Sequence, residues 1–170
     1  MPPKLAGSVV AICKNPDPGL PKFPCKSIQL IAGYGVEHDY HAGKLIRHRY
    51  LARKNPGRPN NRQVLVVDGK VMADIANKGI QLKPGQLGEN ILLTEVELMH
   101  MPLGTKLQIG MAVIELTEIR HPCDQLNEIN PHLKETVMPE KNNPATYNAG
   151  MLGIIIKSGQ VKTGDVVKLF

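Results

Sequence analysis

The stretch AVIELTEIRHPCDQL (residues 112–126) decides the reading of this chain. Its first eight residues are rich in β-branched and apolar types and alternate with polar ones, the period of a half-buried strand. The alternation stops at Arg120, and His121, Pro122 and Cys123 lead into a polar segment. Outward from this strand, runs of the same kind occur at SVVAICK (8–14), SIQLIAG (27–33), RQVLVVDG (62–69), ENILLT (89–94), MLGIIIK (151–157) and VVKLF (166–170). Turn residues separate them: Pro16–Gly19, AGYG (32–35), KPGQLG (83–88), PLGT (102–105), KSGQ (157–160) and TGD (163–165). Seven or more short strands need closure or pairing to protect their edges, so we expect a mainly β protein, a closed or partly closed β-barrel. Helical spacing is confined to residues 44–54 and 71–79, which predicts a few short helices packed outside the barrel or across its mouth.

The chain of 170 residues falls within the size of one domain, and no linker, repeat or low-complexity tract divides it, so residues 1–170 read as a single domain. A 42% hydrophobic and 21% charged composition is that of an ordinary globular protein, whereas 16 glycines, 14 prolines and 4% aromatics fit many turns and short strands. No apolar run reaches the roughly 18 residues of a membrane-spanning helix, and the run that begins MPPKLAGSVV reads as a first strand rather than a secretory leader. Cys13, Cys25 and Cys123 are too widely spaced for a C-x-x-C site and odd in number, which points to a reducing, cytoplasmic setting with at least one free thiol.

Net charge is +6 but unevenly placed. Residues 1–85 hold 14 Lys/Arg against 5 Asp/Glu; residues 86–170 hold 7 against 10. The segment KLIRHRYLARKNPGRPNNR (44–62) carries seven lysines and arginines and no acid, a candidate anion-binding face. Nucleic acid is one class of partner for such a face, yet one aromatic, Tyr50, among these cations gives little for bases to stack on, and no nucleic-acid module is visible.

Three places could carry chemistry. In IRHPCDQL, Pro122 suits the first position of a helix, which would set Cys123 in its first turn, where backbone N–H groups together with Arg120 or a protonated His121 favour the thiolate. Asp124 opposes this, and the plain alternative is a small buried thiol under a turn. In GYGVEHDYHAGK (33–44), His38, Asp39 and His41 have residue types that suit zinc or iron but match no strong metal spacing; Asp39 bonding local backbone is the simpler reading. In PGQLGENI (84–91), Glu89 and Asn90 stand at a strand entrance.

Taken in order, PKFP (21–24), GYGVEHDYHAGK, HRY with RPNNRQV (58–64), PGQLGENI, IRHPCDQL, NAGMLGIII (148–156) and SGQVKTGDVV (158–167) resemble the MOSC family, named for the C-terminal domain of molybdenum cofactor sulfurase. The likeness spans nearly the whole chain. It implies a β-barrel with a pocket for the molybdenum cofactor, a phosphorylated pterin carrying a metal dithiolene. The family cysteine falls on Cys123, which would ligate molybdenum or carry a persulfide sulfur. By motif position Asp39 and His41 go to the polar rim, with catalytic roles beside Cys123; Arg62 and Asn90 go to the pocket wall, and Arg120 to the cofactor side of Cys123. His38 stands where the family has glycine, Tyr147 and Asn148 where relatives carry a basic residue, and Cys25 where a small apolar residue is usual.

The resemblance leads first to an oxidoreductase that reduces small N-hydroxylated substrates, with electrons from a separate reductase, since the given chain closes on the barrel motif at Phe170. The alternative is a sulfur carrier, in which Cys123 accepts sulfur from a pyridoxal-phosphate-dependent cysteine desulfurase. A basic nucleic-acid-binding module is the third reading, and it leaves Cys123 without a task.

Overall fold

The computed structural model describes residues 4–170, the side chains of Lys4 and Arg49 excepted. The start of the run MPPK and the Arg49 side chain of the basic segment therefore lie outside the described residues. The strands are β1 (Lys4–Lys14), β2 (Phe23–Pro24), β3 (Ser27–Ile31), β4 (Gly35–Val36), β5 (Val64–Asp68), β6 (Ile91–Thr94), β7 (Lys106–Ile109), β8 (Ala112–Ile119), β9 (Met151–Lys157), β10 (Gly159–Lys162) and β11 (Val166–Leu169). Short helices interrupt them: α1 (Arg49–Lys54), α2 (Gly69–Asn77), α3 (Leu126–Ile129) and α4 (Leu133–Thr136). No helix among the described residues is long and apolar enough to cross a membrane.

The strands β1, β11, β7, β8, β9, β5 and β6 close into a seven-stranded barrel, since β11 pairs with β7 on one side and β1 on the other. Each anticipated strand exists, with β8 and β9 at the expected bounds; β2, β4, β7 and β10 were not anticipated. β2 and β4 are two residues long, too short for any period, and β10 begins in the KSGQ stretch read as a turn. The pair β5–β6 is parallel, with α2 as part of its crossover, so the barrel is not a simple meander.

Alternation along the strands builds two cores. Ala112, Ile114 and Leu116 of β8 and Val64 and Val66 of β5 turn into the barrel with Ile91, Met151 and Val167, all essentially sealed from solvent. Val67 of β5 and Leu92 of β6 face outward, under Val71 and Ile75 of α2, Leu126 of α3 and Leu133 of α4. The amphipathic helix α2 is capped by Asp68, whose Oδ1 accepts from the Val71 N–H while Oδ2 accepts from Leu98 N–H. The helices thus cover part of the outer wall.

One irregularity in β8 positions the site. The ladder between β8 and β9 slips between Leu116 and Glu118, where the Thr117 hydroxyl donates to the carbonyls of Asn61 and Leu152. A bulge of this kind reverses which residues face inward. Ile119 consequently packs against the barrel core, and Arg120 turns to the outer side, where its backbone N–H donates to Gly150 O.

Candidate functional site

The cavity that gathers the reactive side chains lies on the outer side of the barrel wall. Its floor is Leu65 of β5 and Leu152 of β9, the outward neighbours of core residues Val64, Val66 and Met151. Its sides come from Gly19, Leu20 and Lys22 before β2, from His41, His48 and Arg62 before β5, from Gly88 and Asn90 before β6, and from Arg120, His121, Cys123 and Gln125 after β8. Its volume is about 90 Å³, and it opens to solvent.

Cys123 is half-buried, with its Sγ 4.0 Å from Gln125 Oε1. It is not in a helix. Helix α3 begins at Leu126, and Cys123 instead offers its carbonyl to the Leu126 N–H; Pro122 is buried in the extended link from β8. The expectation that Pro122 opens a helix with Cys123 in its first turn is therefore corrected. Bond pairing with β9 carries Arg120 to Gly150 and leaves too few residues before the one-turn α3. What shares the cavity wall with the sulfur is Arg120, only 7% exposed, whose Nη1 donates to Ala149 O at 3.3 Å. Burial lowers the Arg120 pKa, opposed by the Cys123 and Glu89 charges, but an arginine starts high enough to stay charged at neutral pH. Asp124, expected to oppose the thiolate, projects into solvent and pairs with Lys134.

The second charged group is Lys22, only 4% exposed, which donates to Asp39 Oδ2 at 2.6 Å and lies 3.4 Å from His41 Nδ1. Asp39 also accepts the backbone N–H groups of Asn15 (3.0 Å) and His41 (3.2 Å). Burial by itself would raise the Asp39 pKa; the hydrogen bonds from His41, Lys22 and Asn15 and the Lys22 charge outweigh it and hold the carboxyl well below its ordinary range. Burial lowers the Lys22 pKa, helped by nearby Arg120 and opposed by Asp39 and Glu89. His41 is likewise lowered, first by burial and then by the Lys22 and Arg62 charges against Asp39, so it is a neutral imidazole at pH 7.

Asp39 does not reach the cavity: it sits behind Lys22 and His41 as their anchor rather than on the rim. Arg62 precedes β5 and is anchored by Glu118 of β8 through Nε at 2.6 Å, which leaves the rest of the guanidinium on the cavity wall. Asn90 lines the wall too, but its carboxamide accepts from Leu65 N–H and donates to Cys13 O, lacing β5 to β1. His38, Asp39 and His41 form no metal cluster, and no group of three candidate ligands exists among the described residues. His38 adopts φ 65°, the left-handed region that glycine enters most readily, with the imidazole exposed beside Glu37.

Asn148 bonds Asp74 at 3.0 Å in a separate cleft, and Tyr147 packs edge-on against His121 at 5.1 Å. Cys25 packs against the barrel core as expected, while Cys13 is buried and pushed up to about 12, chiefly by burial and then by Glu89.

Lys22, His48 and Gln125 are polar lining residues the sequence reading did not place at the site. The only local signal for Lys22 is a lysine between two prolines in LPKFP. Glu89 lies beneath the wall, completely buried, with Oε1 accepting the Gly85 N–H and Oε2 unpartnered among the described residues. Burial raises its pKa against the pull of backbone N–H groups and Arg120. In the basic segment, Arg47 lies over the Tyr40 ring at 4.7 Å and Lys54 over the Tyr50 ring at 5.9 Å, so the exposed aromatic already has a cation on its face.

The result is a polarised cavity. Lys22, Arg62 and Arg120 line it together with the sulfur, and the carboxylates that pair with or neighbour them, Asp39, Glu118 and Glu89, all lie outside it. Such an arrangement suits a small or locally anionic ligand.

Comparison with known proteins adds to this. The family model described as the MOSC domain matches residues 37–168. Among solved structures, the YuaD protein of Bacillus subtilis is similar at 21% identity and TM-score 0.74, covering 99% of this chain and 96% of that one. YiiM of Geobacillus stearothermophilus is similar at 16% identity and TM-score 0.64, covering 99% and 75%. YiiM of Escherichia coli gives 17%, 0.63, 99% and 70%. The curated proteins contain no match to the sequence.

Proposed function

Because the chain belongs to the MOSC domain family, which includes molybdenum-cofactor-binding proteins, we propose that it binds the molybdenum cofactor with the Cys123 sulfur as a metal ligand. The observation that carries this is the half-buried sulfur on the same wall as the buried Arg120 side chain, in a cavity lined by cations whose carboxylate partners lie outside it. The residues fit the group. A soft thiolate suits a soft metal–sulfur centre, and guanidinium and ammonium donors suit its negative charge. Enclosing a whole organic ligand takes roughly 300 Å³ or more, so the 90 Å³ here accommodates the metal end only.

When bound, the cofactor would supply the two-electron change that reduces a small N-hydroxylated substrate, with electrons from a separate reductase. Arg120, lining the cavity with the sulfur, would offset the negative charge of the bound group. Arg62, fixed by Glu118, would hold anionic oxygens without reorganising, the property that makes preset donors effective. Reduction of an N–OH group releases water and consumes two protons. Lys22, its pKa lowered by burial, holds an exchangeable proton on the wall beside neutral His41. Three free thiols fit a reducing, cytoplasmic setting.

The test is elemental analysis of protein from a molybdate-replete host. Stoichiometric molybdenum in the wild type and its loss in Cys123→Ser are expected; no molybdenum in wild type, under conditions that load another cofactor protein, refutes the reading. The sulfur-carrier alternative is favoured by the accessible sulfur in so small a cavity. It predicts one removable sulfur on Cys123 after incubation with a pyridoxal-phosphate-dependent desulfurase and cysteine. Salt-sensitive binding of random oligonucleotides that ignores Cys123→Ser would favour the nucleic-acid reading instead.

A further inference from the structure

We propose that the Cys123 cavity binds thiosulfate and that Cys123 takes its sulfane sulfur, a sulfurtransferase activity of this chain that uses a small inorganic donor. The inference rests on the sulfur-carrier reading and names the class of donor.

Four features of the cavity point to a compact sulfur oxyanion. Its volume of about 90 Å³ is far below what an organic ligand requires, and well above the roughly 15 Å³ that admits a single water. Three cationic side chains converge on it, and two, Arg62 and Arg120, are guanidiniums able to fork onto adjacent oxygens of one tetrahedral group. Both are held from behind, Arg62 by Glu118 at 2.6 Å and Arg120 by Ala149 O at 3.3 Å, so binding costs little side-chain ordering. The Cys123 sulfur lines the same cavity as these guanidiniums.

The step balances without an external oxidant or reductant. The Cys123 thiolate attacks the outer sulfur of thiosulfate; the bond between that sulfur and the sulfonate sulfur breaks, and its electron pair leaves with sulfite. Cys123 is left as a persulfide anion. Cyanide, or an acceptor thiolate, then attacks the outer sulfur and carries it off, as thiocyanate in the first case, restoring the thiolate. Arg62, Arg120 and Lys22 hold the three sulfonate oxygens, whose charge persists on the departing sulfite.

The experiment incubates the full chain with thiosulfate and measures sulfite released, thiocyanate formed on adding cyanide, and the mass of the Cys123 peptide. We expect equimolar sulfite, one added sulfur on Cys123 that dithiothreitol removes, and competition by sulfate. Cys123→Ser should abolish all three signals with an unchanged thermal midpoint, whereas Cys25→Ser should leave them intact. Arg62→Met should raise the half-saturating thiosulfate concentration at least tenfold while Cys123 still accepts sulfur from a desulfurase. No sulfite, or sulfur found equally on Cys25, overturns the proposal. A desulfurase arm that loads Cys123 when thiosulfate does not would overturn the proposal alone and leave sulfur carriage standing; failure of both arms ends both.

Discussion

Replacing Asp39 with asparagine strips the buried Lys22 ammonium of its counter-charge with little change of shape. Lys22 is 4% exposed and the Asp39 side chain is fully buried, 2.6 Å from it. Removing one partner of a buried pair costs about 3–5 kcal/mol, because the charge left behind has neither water nor partner. For a domain of this size about 2–4 °C is lost per kcal/mol, so the thermal midpoint should fall by about 6–20 °C. The deficit has a pH signature. Asp39 has its folded pKa well below the unfolded value near 3.9, so the stability it contributes is complete above about pH 4 and is lost as pH falls through the folded value. Lys22 has a folded pKa below its unfolded value, so the unfolded chain binds the extra proton, and stability rises with pH between the two values. Without Asp39 only the Glu89 charge still opposes burial and the Arg120 charge at Lys22, which widens that window downward. Urea titrations of wild type and Asp39→Asn at pH 5, 7 and 9.5 should therefore show a deficit largest at pH 5 and shrinking towards 9.5. Converting both residues to apolar ones, Lys22→Met with Asp39→Leu, should recover at least half of the loss at pH 7. A deficit under about 1 kcal/mol, or one independent of pH, would refute the assignment of a charged buried pair.

Three further outcomes follow from particular positions. His38→Gly should stabilise by about 0.5–1 kcal/mol in urea, because His38 holds φ 65° with its ring exposed and glycine removes the left-handed penalty, part of it offset by unfolded-chain entropy. Gly85→Ala should lose at least about 3 kcal/mol or fail to fold: at φ 90° its Cβ would fall 2.0 Å from the Lys22 carbonyl oxygen, backbone that cannot yield. Alkylation at pH 8 followed by peptide mass mapping should modify Cys123 first and leave Cys13 untouched, since Cys13 is buried and its pKa is pushed up to about 12. Modification of Cys13 before Cys123 in the native protein would contradict the placement of both.

Much of the scaffold was legible because it is local. The β-branched and apolar runs AVIELTEI and MLGIIIK gave strands with the observed bounds, and glycine-rich turns gave most of the breaks. Two-residue strands such as Phe23–Pro24 carry no periodic signal, and Gly159–Lys162 begins in a stretch whose composition is that of a turn. At the site, Cys123, His41, Arg62, Asn90 and Arg120 all line one cavity, although Asn90 spends its carboxamide on backbone and Asp39 works from behind. Lys22 escaped notice because its partner is 17 residues away and its burial depends on the loop that precedes β5.

The sequence by itself determined which residues could form strands and turns, and which residue types could serve an anion and a thiol, because those properties belong to short windows of chain. Only the tertiary structure decided where the charges point. The slip between Leu116 and Glu118 sends Ile119 into the barrel and Arg120 outward beside Cys123, and distant segments place Asp39, Glu118 and Glu89 behind the cations rather than in front of them. A bulge is a property of two paired strands, and a cavity's polarity is a property of several, so neither can be read from one segment alone.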